Sequence, residues 1–72
     1  MATASESCVS EIGETAGKVW KVLDAKGPLT IAKLVKEIEG PRDVVMQALG
    51  WLAREDKIEI EEDGRTRTVS LR

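Results

Sequence analysis

The 72 residues, 42% apolar and 33% charged, have ordinary globular composition and leave no room for a second domain. Eleven basic residues against thirteen acidic ones give a net charge of −2, which argues against a nonspecific nucleic-acid coat protein or a polybasic membrane binder. A lone cysteine, Cys8, cannot form an internal disulfide and is consistent with a reducing cytoplasm.

The opening MATASESC is polar and lacks the basic and apolar regions of a signal peptide, and no membrane-spanning stretch follows. The expectation is a cytoplasmic protein with a disordered stretch over 1–7 and one domain over 8–72. A domain this small buries only about 60% of the surface of its unfolded chain. Homodimerisation therefore offers stability that the monomer core supplies sparingly.

Val9, Ile12, Ala16, Val19, Trp20 and Leu23 recur at helical spacing and predict a first helix from Cys8 to Lys26, with Ser7 or Thr3 as cap. Gly13 and Gly17 flank this stripe at a cost of roughly 1 kcal/mol each relative to alanine, which implies a close neighbour there. Gly27-Pro28 ends the helix. The segment Leu29-Thr30-Ile31 is long enough for a strand-like bridge, and Thr30 is placed to cap a second helix. Ile31, Leu34, Val35 and Ile38 form that helix's apolar face, until Gly40-Pro41 breaks it.

Pro41 suits the first position of a third helix, predicted to run to Asp56 with Val45, Ala48, Leu49 and Leu52 facing the core. The apolar period then changes from 3.6 to 2. Ile58 and Ile60 alternate with Glu59 and Glu61, Val69 and Leu71 alternate on a return strand, and Asp63-Gly64 reads as the hairpin turn. That turn pairs Glu62 with Arg65, Glu61 with Thr66, and Ile58 with Val69. The order is helix, short strand, helix, helix, hairpin. It predicts a mainly α chain with a small antiparallel β wing, an α+β winged helix-turn-helix.

Two segments, IGETAGKVWKVL (Ile12 to Leu23) and ALGWLAREDKI (Ala48 to Ile58), resemble the hallmark stretches of a family of small prokaryotic winged-helix proteins, a domain of unknown function. The resemblance runs from Ile12 to the last residue. It implies the winged-helix fold, and by analogy a nucleic-acid role, with no established activity.

The function must then be read from the third helix, whose outward face is expected to carry Asp43, Met46, Gln47, Gly50 and Arg54. Gln47 suits an adenine edge, and Arg42 or Arg54 a phosphate of double-stranded DNA, although Asp43 opposes them. Arg65 and Arg67 sit where a wing touches DNA, yet Glu59, Glu61, Glu62 and Asp63 crowd the preceding strand. Solvated, charge-paired surfaces account for these residues without a ligand. The same holds for Lys18, Lys21, Lys33 and Lys36, which share their helices with Glu11, Glu14 and Glu37.

Val44, Ala48 and Trp51 form a second apolar stripe on the third helix, rotated roughly 100° from the core stripe. Either it packs on the first helix beside Gly13, Gly17 and Trp20, or it is an interface that meets another chain through Val44 and Trp51. The chain has no histidine or tyrosine, and its sequence offers no nucleophile–base pair, phosphate-cradling glycine motif or metal-ligand cluster. The expectation is therefore a non-enzyme without cofactor, metal or small-molecule ligand. Two readings follow: a DNA-binding regulator contacting DNA through Arg42, Gln47, Arg54, Arg65 and Arg67, or a protein-interaction and homodimerisation module.

Overall fold

The computed structural model describes the backbone of residues 4–72 and the side chains of residues 7–72. Helix α1 spans Ala4–Lys26, strand β1 Leu29–Thr30, helix α2 Ile31–Glu37, helix α3 Arg42–Arg54, strand β2 Ile58–Asp63 and strand β3 Thr66–Leu71. The winged helix-turn-helix order read from the sequence is the one observed.

Helix α1 begins at Ala4, four residues ahead of the expected start at Cys8. Ser7 consequently lies inside the helix and does not cap it, while Thr3 lies outside the described residues. Ala16, Val19 and Leu23 are buried as expected. Val9 and Trp20, expected on the same stripe, are 49% and 42% exposed. Trp20 is turned roughly 40° from Ala16, away from Val19 and Leu23, while Val9 is nearly in line with Ala16 but two turns ahead of it, before the core begins. Gly27 ends α1 with a φ of 79°, a left-handed turn that glycine adopts without steric cost, while its N–H still bonds the Leu23 carbonyl at 2.8 Å.

Thr30 caps α2 as expected, its Oγ1 accepting the Lys33 N–H at 3.2 Å. Leu34 and Ile38 are buried, with Ile31 and Val35 packed at the edge of the core. Pro41 is the cap of α3 and not its first helical residue; its carbonyl accepts the N–H groups of Val44 and Val45. Val45, Ala48, Leu49 and Leu52 are buried on α3, whereas Met46, expected on the outward face, packs against the core. The helix ends at Arg54, two residues short of the expected Asp56. Asp56 itself takes a φ of 59°, and the N–H groups of Asp56 and Lys57 fold back to the carbonyls of Ala53 and Leu52. This is the left-handed cap usually given to glycine, held here by one of the few other residues that tolerate it.

The sheet has the order β1-β3-β2, antiparallel throughout. Ile60 pairs with Val69, Ile58 with Leu71, Glu61 with Thr68, and Glu62 with Arg67. The expected register, with Ile58 opposite Val69 and Glu62 opposite Arg65, is therefore corrected. Asp63 pairs with Thr66, so the two-residue turn is Gly64-Arg65 in place of Asp63-Gly64. Gly64 alone has positive φ, at 62°, as in hairpin turns that take glycine first. Moving the turn by one residue shifts the pairing by two, which keeps every side chain on its predicted face. Leu29 and Thr30 pair with Val69 and Thr68, stitching the entry to α2 onto the wing. Beyond Ile58 the strand β2 leaves the core, and Ile60 is exposed.

Candidate nucleic-acid interface

Strand β1 is only two residues long and covers β3 at Val69 and Thr68. The rest of that β3 edge, over Thr66 and Arg67, stays open toward the start of α2 and the first turn of α3. A shallow groove of about 410 Å³ results. Arg42 and Met46 line it from α3, Arg65 and Arg67 from the wing, and Thr30 and Ile31 from the head of α2. Arg42 thus converges on one surface with two wing arginines distant from it in sequence, because the β1–β3 ladder draws the hairpin against the helix-turn-helix.

Their electrostatic partners differ. The Arg67 Nε donates to Glu62 Oε2 at 3.0 Å, across the strand pair that the register sets. Among the described residues Arg42, Arg54 and Arg65 have no ion pair. Asp43, the acid expected to oppose them, accepts the Val44 N–H on Oδ1 at 3.0 Å. It is a helix-start acid satisfied by an α3 amide, which accounts for it without a ligand. Glu59, Glu61 and Asp63 project from the opposite face of β2 to Glu62, by strand alternation.

Gln47 and Arg54 stand on the outer crest of α3, exposed and away from the groove. Of the five residues singled out from the sequence, the groove gathers Arg42, Arg65 and Arg67. Thr30, Thr66 and Met46 join them, which sequence reasoning missed as site residues. Thr30 was legible as a cap, but its place beside Arg42 depends on the β1–β3 pairing, a contact distant in sequence.

Val44 and Trp51 lie on the other flank of α3, toward α1. Val44 is half-buried and Trp51 is 42% exposed. Trp51 does face Gly13, Gly17 and Trp20 across a second depression, yet the two helices do not cover its ring. Among the described residues no group of three histidine, cysteine, aspartate or glutamate side chains is placed to hold a metal ion, and no helix is long and apolar enough to cross a membrane. Cys8 is exposed on α1.

The model of a family described as a winged helix-turn-helix domain (DUF2582) matches residues 5–71. The chain belongs to this family. A DUF2582-sized relative, an uncharacterised protein of Methanocaldococcus jannaschii, is 36% identical over 69 residues, covering 93% of this chain and 99% of its own. The crystal structure of an ArsR family transcriptional regulator superposes with a TM-score of 0.65 at 23% identity, over all of this chain and 77% of the regulator. At that identity the likeness concerns the fold, and it agrees with the three helices and three-stranded sheet of this DUF2582 domain.

Proposed function

We propose that this DUF2582 protein is a DNA-binding winged-helix protein, a small cytoplasmic transcriptional regulator that contacts duplex DNA through α3 and the wing. The observation that carries the reading is the convergence of Arg42, Arg65 and Arg67 on one groove at the head of α3. Guanidinium groups suit phosphate oxygens through planar, bidentate hydrogen bonds, and phosphate contacts fix the register of a protein on the duplex. The groove arginines position the domain in this reading. Gln47 and Arg54 on the crest of α3 then meet base edges or phosphates in the major groove, where an amide suits adenine.

The structural likeness to a protein titled as a transcriptional regulator supports the same reading. So does the local nature of the charge: the chain as a whole is acidic, but the two acids beside the groove arginines, Asp43 and Glu62, each accept a hydrogen bond from within the protein. Binding, and not catalysis, is the role this surface suits. A protein-interaction role has its own support in the exposed Trp51, and it concerns the opposite flank of α3, so the two are compatible. Arg42→Ala tests the DNA reading. Affinity for a duplex falls and its salt dependence flattens, with the fold unchanged; retention of both wild-type values refutes the assignment.

A further inference from the structure

The only aromatic residues of the chain are two tryptophans, and both are exposed on one side of the domain. Trp20 of α1 and Trp51 of α3 line a depression of about 670 Å³, together with Gly13, Ala16, Gly17 and Leu52. Val9 is exposed as well. Residues 9, 13, 16 and 20 follow the alternating four- and three-residue steps of a single helix face. Gly13 and Gly17 border open space, since a Cβ added to either meets no atom within 4 Å. Packing within the chain therefore requires glycine at neither position, although both lower helix propensity.

We propose that this face seats a second copy of the chain, with the two α1 helices packed antiparallel about a two-fold axis near Gly17. Trp20 of each copy enters the hollow above the partner's Gly13 and Gly17, beside the partner's Trp51. A protruding ring and a glycine hollow, a turn or two apart on the same helix, are self-complementary in this orientation alone. Parallel helices set Trp20 against its own equivalent and leave both hollows open. A two-fold contact of this kind is closed, so assembly stops at the dimer.

Charge favours the same occupant. Glu14 and Lys21 are exposed, two turns apart, on the flank of α1 beside Gly17. Neither has an ion-pair partner among the described residues. Antiparallel pairing lays Glu14 against the partner's Lys21, and Lys21 against the partner's Glu14. Arg42 and Met46 lie on the opposite flank of α3 from Trp51 by helical geometry. The dimer thus leaves the arginine groove open, and its failure and that of the DNA reading are separately visible.

Sedimentation velocity of the whole chain over a concentration series tests the proposal, with far-UV circular dichroism on every sample. The wild type shows a concentration-dependent dimer. Gly17→Gln places a good helix former in space that is open within the monomer, so helicity is kept while self-association weakens at least tenfold. Glu14→Lys also weakens it, and the double variant E14K/K21E restores it. A wild type that stays monomeric to about 1 mM overturns the proposal, as does a Gly17→Gln dimer of unchanged affinity. Should Gly17→Gln lose helicity, the charge reversal decides: no weakening by Glu14→Lys, or no rescue by the double variant, overturns it.

Discussion

Arg42→Ala weakens duplex binding and flattens its salt dependence while leaving the fold intact. In the proposed DNA-binding reading four arginines meet the duplex: Arg42, Arg65 and Arg67 in the groove and Arg54 on the crest. Each phosphate neutralised on B-form DNA contributes a slope of about −0.9 to the dependence of log affinity on log salt. Four contacts give about −3.6 per chain, so binding weakens roughly 150-fold between 50 and 200 mM monovalent salt. Removing one contact flattens the slope to about −2.7, and the same salt change then weakens binding roughly 40-fold. Arg42 is exposed and makes no ion pair among the described residues, so its loss shifts stability by no more than about 0.5 kcal/mol. Fluorescence anisotropy with a labelled duplex, read across a salt series for both proteins, measures the two slopes. Equal slopes would show that Arg42 touches no phosphate. A variant that loses affinity only because it unfolds shows itself in thermal denaturation.

Two further outcomes follow from the same geometry. Glu62→Gln frees Arg67 from an exposed pair at 3.0 Å, an interaction of about 1 kcal/mol at most; the variant keeps its Tm and binds a duplex up to about fivefold more tightly, and weaker binding in the anisotropy assay contradicts competition between Glu62 and phosphate. Leu34→Ala empties a fully buried site under α2 and costs about 3 kcal/mol, a large part of the roughly 4–11 kcal/mol expected of 72 residues; urea denaturation measures the loss, and a value below about 1 kcal/mol contradicts the core position of that side chain.

The elements whose signals are local were legible in the sequence. Thr30 caps α2 because its hydroxyl reaches an amide three residues away, and the stripe of Val45, Ala48, Leu49 and Leu52 is buried because helical geometry alone collects it. Errors arose where the deciding contact is distant or the chemistry atypical. Asp63-Gly64 is a favourable turn pair, but one positive φ at Gly64 suffices for the hairpin, and Asp63 is left as the last residue of β2. Asp56 ends α3 in a conformation that favours glycine, so no glycine announced the end. Val9 and Trp20 satisfy helical spacing with Ala16, and only the position of the neighbouring elements decides that they lie outside the core.

Residue type made Arg42, Arg65 and Arg67 legible as candidates, but their convergence was not. It depends on the pairing of Leu29 and Thr30 with Val69 and Thr68, some forty residues apart along the chain. Gln47 and Arg54 were read from helical periodicity and do lie outward, though apart from the groove. Trp51 posed two alternatives, and the structure contains elements of both: it lies beside α1, and it is exposed.

The most direct measurement is an amide NMR titration of the isotopically labelled protein with a generic duplex at low and then moderate salt. DNA binding through α3 and the wing predicts shifts at the first turn of α3, around Gln47 and Arg54, and over Gly64 to Arg67, all reversed by salt. Shifts that instead gather on α1 and around Trp51, or no shifts at low salt, would contradict the assignment of the arginine groove as a DNA surface.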